Sequence, residues 1–159
     1  IEKNMVRPDH VILESLRMVP KVLQEDASFT FTNETEEDLV FYADKGRIQQ
    51  VLLNLFTNAL RYNDEEHKKI DITLKKESNV IKIAIADNGI GIAKEHQKSI
   101  FNRFYQVDVT ATRRSGGTGL GLAICEGIME AHGGHIEVES SLNKGSTFTL
   151  CFPIDDDNI

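Results

Sequence analysis

Two amides and a guanidinium, Asn54, Asn58 and Arg61, recur at intervals of four and three in the segment KGRIQQVLLNLFTNALRY. At about 100° per residue they fall within about 60° of one another on a helix, beside an apolar face of Ile48, Val51, Leu52, Leu55 and Ala59. Such a stripe is either a wet surface or a site for a hydrated cation and phosphates. An amide oxygen is a neutral, hard ligand suited to magnesium, which keeps several waters and takes its remaining oxygens from a nucleotide. Arginine suits phosphate oxygens.

A second constellation is ADNGIGI. Ile81, Ile83 and Ile85 share one face of a strand, and by the period of two Asp87 follows on that face. A carboxylate aimed toward apolar surroundings is costly unless it has a partner. Asp-Asn-Gly is also ordinary turn chemistry. Gly89 and Gly91, however, are spaced to let a flat ligand approach the backbone beside the acid. There a carboxylate could accept a hydrogen bond from an exocyclic amine such as that of adenine.

The third is RRSGGTGLGLAICEGIMEAHGG, where Gly116, Gly117, Gly119 and Gly121 run directly into an apolar helix. Glycine is unfavourable in a helix, so a cluster at its start needs a reason. A glycine-rich turn entering a helix exposes unpaired N–H groups backed by the helix dipole, which makes an anion site. A plain flexible loop is the simpler alternative. It is not a Walker loop, because no Gly-Lys-Ser/Thr follows, and TATRRSGG is not the apolar strand that precedes a dinucleotide fingerprint. The stretch reads as a phosphate grip at the end of a mobile loop.

The elements that must hold these groups follow from periodicity. A helix is expected from Asp9 to about Gln24, with Val11, Ile12, Ser15, Leu16, Val19 and Leu23 on one stripe and Pro20 kinking or shortening it. SFTFTN and LVFYA read as short strands, and Asp44 as the N-cap of the long helix. IDITLK, VIKIAIAD, HIEVES and STFTLCF complete five or six strands, for a sheet covered by helices on one face. Between Gly89 and Gly117 the chain is polar, with at most a short helix around KEHQKSIFNRF.

The 159 residues, 40% of them hydrophobic, suit one domain with a real core. The net charge of −7 argues against a general nucleic-acid or membrane-surface binder. IEKNMVRPDH has no apolar run, and no stretch is long enough to cross a bilayer, so a cytoplasmic domain without direct membrane contact is expected. Cys125 and Cys151 sit in apolar segments and read as small core residues rather than as a disulfide or metal pair.

NLFTNALRYN, DNGIGI, IFNRFYQ, GGTGLGLAI and KGSTF stand in the order and approximate spacing of the N, G1, F, G2 and terminal glycine boxes of sensor histidine kinases. The chain thus resembles their catalytic and ATP-binding domain, within the GHKL superfamily, from the first helix to Phe152. The resemblance implies an α+β two-layer sandwich, the Bergerat fold: a mixed sheet of about five strands, three main helices on one face, and a flexible ATP lid. It implies residues 1–8 as a linker stub from a dimerisation hairpin, 9–153 as the catalytic domain, and 154–159 as a disordered acidic tail.

Carried over by residue, Asn58 resembles the magnesium-ligating asparagine, and Asn54 its neighbour near the phosphates. Arg61 matches a phosphate-contacting basic position and Tyr62 an aromatic one that packs on adenine. Asp87 resembles the adenine-reading acid, with Gly89 and Gly91 shaping the pocket floor and Thr147 joining Asp87 around the base. Gly117, Thr118, Gly119, Leu120 and Gly121 would form the phosphate-side turn. About Ala93 to Thr118 would be the lid, with Phe101 and Phe104 as apolar anchors. One departure is Gln106, where many relatives carry an arginine; Arg103, Arg113 and Arg114 are nearby alternatives.

The implied activity is transfer of the γ-phosphate of ATP, with Mg2+, to a histidine on a dimerisation hairpin, and a response regulator is the indirect partner. None of His10, His67, His96, His132 or His135 lies in an acceptor motif, so the chain would hold the donor alone, as a monomer when isolated. Two alternatives share the nucleotide-binding expectation. ATP-gated clamps place a glutamate one turn before the magnesium asparagine, as a base for water, where this chain has Asn54. A degenerate module would bind partners without using ATP.

Overall fold

The computed structural model describes residues 1–36, 38–103, 105 and 121–154. Its elements run β1 (Asn4–Val6), α1 (Pro8–Arg17), a 3-10 turn (Lys21–Gln24), β2 (Ala27–Asn33), β3 (Phe41–Ala43), α2 (Lys45–Arg61), β4 (Lys68–Glu77) and β5 (Val80–Asp87). Two further 3-10 turns (Lys94–His96 and Ser99–Phe101) precede α3 (Gly121–Ala131), β6 (His135–Ser141) and β7 (Gly145–Pro153). Five strands form one mixed sheet in the order β2-β4-β5-β7-β6. The pair β2–β4 is parallel and the other neighbours are antiparallel.

Alternation decides which face is buried. Ile70, Ile72 and Leu74 of β4, Ile81, Ile83 and Ile85 of β5, and Leu150 and Phe152 of β7 are all at most 2% exposed. They share one core with Val11 and Ile12 of α1, the apolar stripe of α2, and Cys125, Ile128 and Met129 of α3. Each such large side chain contributes about 1.5–3 kcal/mol on burial. The expected α+β two-layer sandwich, a mixed five-stranded sheet with three helices on one face, is the fold observed.

The first helix is shorter than its apolar stripe suggests. It ends at Arg17, with Met18 as C-cap, and Pro20 opens a separate 3-10 turn. Proline lacks the N–H that a continuing helix needs and disfavours helical geometry at the residue before it. Val19 and Leu23 still pack on the core from outside the helix. The first eight residues contain β1, which pairs antiparallel with β3 through Met5 opposite Tyr42. At the other end, Ile154 is buried and its N–H donates to Asn79 O at 2.7 Å.

Two contacts hold α2 in place. The Asp44 side chain caps it by accepting from Arg47 N at 3.2 Å. The Asp44 N–H in turn donates to His132 Nε2 at 3.0 Å, while His132 Nδ1 donates to Ile128 O at 2.8 Å. The start of α2 is thereby tied to the end of α3. Among the described residues, no helix is long and apolar enough to cross a membrane.

Candidate active site

The buried stripe of α2, from Ile48 to Leu60, turns the opposite side of its last two turns outward. Asn54 and Asn58 are half-buried there, and Arg61 is exposed. Asn58 Nδ2 donates to Asn54 Oδ1 at 3.2 Å. This orients Asn58 with its own Oδ1 free of any donor among the described residues. A neutral, half-buried amide oxygen with no competing donor fits magnesium, whose other oxygens come from waters and phosphates. One turn before Asn58 there is thus an amide, not a carboxylate.

Asp87 closes β5 on the same side of the sheet as Ile85. Its Oδ1 accepts from two backbone groups, Gly89 N at 2.9 Å and Ser146 N at 3.2 Å. No donor among the described residues reaches Oδ2, which is left for an outside donor. Burial pushes the Asp87 carboxyl above its usual value, and the two N–H groups offset part of that rise.

The end of α2 and the turn after Asp87 are joined directly. Tyr62 is the C-cap of α2, its N–H donating to Asn58 O at 3.0 Å, and its carbonyl accepts from Ile90 N at 3.1 Å. The buried Asn63 donates through Nδ2 to Asn88 Oδ1 at 2.8 Å. Asn88 is further bound to Lys69 N and His67 O. The two halves of the site, amides on a helix and acid on a strand, are therefore held by one polar seam.

The glycines have reasons within the protein. A β-carbon on Gly89 would stand 2.5 Å from Tyr62 O, so the residue lets the turn press on the end of α2. Gly91, at φ +73°, would place one 2.0 Å from Ser141 O of the β6–β7 hairpin. That hairpin returns the contact, with Asn143 N donating to Ile90 O at 2.8 Å. A β-carbon on Gly121 would stand 2.4 Å from Asn54 Nδ2, so its bareness lets α3 start against the amide pair.

The strand register corrects one assignment. Ser146 lies opposite Asp87, whereas Thr147 lies opposite Ala86. Neighbouring residues on a strand point to opposite faces, so Thr147 leaves the sheet on the side away from Asp87. The hydroxyl beside the acid is that of the buried Ser146, which bonds Ser140 Oγ at 2.7 Å. Ser140 Oγ also accepts from Ile92 N at 2.7 Å, linking the turn to the hairpin. Ser146, Ser140, Asn63 and Asn88 all escaped the sequence reading; GST showed a hydroxyl pair but not which member faced in.

Asn54, Asn58, Arg61 and Tyr62 thus sit along the end of α2, joined to Asp87, Gly89 and Gly91 by the polar seam, with Gly121 against Asn54. Gly117, Thr118, Gly119 and Leu120 lie outside the described residues, as do Phe104, Gln106, Arg113 and Arg114. Of the expected lid, Phe101 is half-buried and its 3-10 turn contacts α3, while Arg103 is exposed.

Residues 43–156 match the family of histidine kinase-, DNA gyrase B- and HSP90-like ATPases. Over 148 residues the chain is 39% identical to sensor protein SrrB of Staphylococcus aureus, covering 93% of this chain and 25% of SrrB. It therefore spans about a quarter of the length of the curated relatives it matches. Among solved structures, the nucleotide-free catalytic domain of histidine kinase ThkA superposes with a TM-score of 0.83 at 30% identity, over 100% of both chains. ThkA in complex with response regulator protein TrrA gives 0.79 at 28% identity, over 99% of this chain and 43% of that one.

Proposed function

The chain belongs to the histidine kinase-, DNA gyrase B- and HSP90-like ATPases, and from that premise we propose that it is the ATP-binding catalytic domain of a sensor histidine kinase, donating the γ-phosphate of ATP to a histidine on a dimerisation hairpin. The domain works in the cytoplasm. The complex of the similar ThkA with TrrA supports a response regulator as the further, indirect partner.

In this reading Asp87 Oδ2 accepts from the exocyclic amine of adenine, and Tyr62 packs on the base. Ser146, rather than Thr147, stands beside the acid. Arg61 and Asn54 face the phosphates, and Gly117, Thr118, Gly119, Leu120 and Gly121 supply backbone N–H groups to them. Asn58 Oδ1 would hold magnesium, which supplies charge neutralisation on the phosphate oxygens when bound. Phosphoryl transfer asks a protein mainly for positioning and charge stabilisation. The bond from the γ-phosphorus to the bridging oxygen breaks, ADP leaves, and a phosphorus–nitrogen bond forms on the incoming imidazole.

The observation that carries this reading is the amide at Asn54, with its Oδ1 engaged by Asn58. An amide cannot take a proton from water, so the site lacks the base of a clamp ATPase at that position. The test is incubation with γ-labelled ATP, with and without a dimerisation hairpin supplied in trans. We expect little hydrolysis and no stable phosphohistidine from the chain alone, and a labelled hairpin in the mixture. Asn58→Ala should abolish labelling while most nucleotide affinity remains. Rapid ATP turnover by the chain alone, reduced in Asn54→Ala, would establish a clamp ATPase instead; tight ATP binding with an unlabelled hairpin would establish a degenerate module.

A further inference from the structure

We propose that the open face of the sheet carries a zinc site, held by His135, Glu137 and Cys151. His135 and Glu137 stand two residues apart on β6, on the face away from the helices, and Cys151 of β7 is the direct cross-strand partner of His135. Side-chain Nε2 of His135 lies 3.1 Å from Oε1 of Glu137. The three potential ligand atoms, one from each residue, all lie within 4.8 Å of one another.

Zinc bonds of about 2.0–2.3 Å in a tetrahedron put neighbouring ligands about 3.3–3.8 Å apart. Small rotations of two side chains reach that spacing. His135 and Glu137 are free to make them, with side chains 64% and 55% exposed, while Cys151 is 2% exposed and fixes the sulfur. Three protein ligands leave a fourth position for water. Thiolate, imidazole and carboxylate together favour zinc over magnesium, a hard ion that prefers oxygen alone. The site is therefore chemically distinct from Asn58.

It is also spatially distinct. Cys151 lies five positions along β7 from Ser146, or about 16 Å, and on the opposite face of the sheet from Asp87. Binding displaces the thiol proton to solvent, since the thiolate is the ligand. Burial, and after it the Glu137 carboxylate, push the free Cys151 thiol above its usual value, and the charge of Lys82, its β5 partner, offsets part of that rise. Cys125 takes no part: it is in the helical layer, its Sγ 3.9 Å from Val51 O.

Cobalt(II) reports on such a site, because a thiolate ligand gives a charge-transfer band and tetrahedral geometry gives intense visible absorption. We expect the reduced chain, without nucleotide or magnesium, to bind one equivalent with both signals, and zinc to displace it. Cys151→Ser should abolish the charge-transfer band and Cys125→Ser should leave it. The exposed substitutions His135→Ala and Glu137→Gln, which leave the core intact, should each weaken cobalt binding by about tenfold or more. No charge-transfer band in the reduced wild-type chain would overturn the proposal. So would a band that survives Cys151→Ser, or unchanged affinity in His135→Ala.

Discussion

Gly121 and Asn54 are packed so closely that a β-carbon on the glycine would stand 2.4 Å from the amide nitrogen, 2.9 Å from its oxygen and 3.0 Å from Cγ. The helix that follows the glycine-rich stretch therefore begins on top of the amide that orients Asn58. A glycine read from sequence as part of a phosphate turn also acts inside the fold, as the contact between α3 and α2.

Gly121→Ala should separate these roles. The group it displaces is the far end of a short polar side chain, so the fold can yield, and the stability change should stay within about 1 kcal/mol. Asn54 must swing away, and Asn58 Nδ2 then loses its acceptor. Transfer to the hairpin should fall at least about tenfold while ATP affinity changes less. Unfolding curves together with a comparison of kcat and KM check this; unchanged kcat would show that the Asn54–Asn58 pair survives the substitution.

Asp87 sets function against stability. Its folded pKa is raised, so its favourable contribution is fully present below the unfolded carboxylate pKa and is lost as pH rises through the folded value. At neutral pH its charge opposes folding. Asp87→Asn keeps an oxygen to accept from Gly89 N and Ser146 N, and should raise the Tm of the nucleotide-free protein at pH 7. The same change should weaken ATP binding by about 1.5–3 kcal/mol, one to two orders of magnitude in Kd. In the wild type, affinity should decline as pH falls through the raised pKa, because a protonated carboxyl loses its acceptor charge. Calorimetry across that range is the check, and equal ATP affinity in Asp87→Asn would remove the acid from the site.

Two glycine substitutions should act in opposite directions. Gly91→Ala combines φ +73° with a β-carbon 2.0 Å from a backbone oxygen, and should destabilise by about 3 kcal/mol or more. Gly127 lies within α3, and among the described residues nothing beyond its chain neighbours and its own helix backbone comes within 4 Å of its would-be β-carbon. Gly127→Ala should stabilise by about 0.5–1 kcal/mol, the ordinary helix preference. Denaturant titration of both variants measures the contrast, and comparable losses would mean that the packing around Gly91 yields.

What could be read from the sequence alone was whatever repeats locally. The period of α2 placed Asn54, Asn58 and Arg61 on one outward stripe, and Asp44 capped that helix where its residue type suggested. The alternation of Ile81, Ile83 and Ile85 put Asp87 on the helix side of the sheet. Period reveals a face because each side chain's direction depends only on its neighbours in the chain. Register does not work that way. Whether Ser146 or Thr147 stands beside Asp87 depends on how two strands 59 residues apart align, and a slip of one residue would exchange their faces. The same holds for Gly91 against Ser141, for β1 against β3, and for Cys151 beside His135. Each is a meeting of segments whose local patterns are complete without it, so only the folded chain, closing its core around one alignment, could decide them.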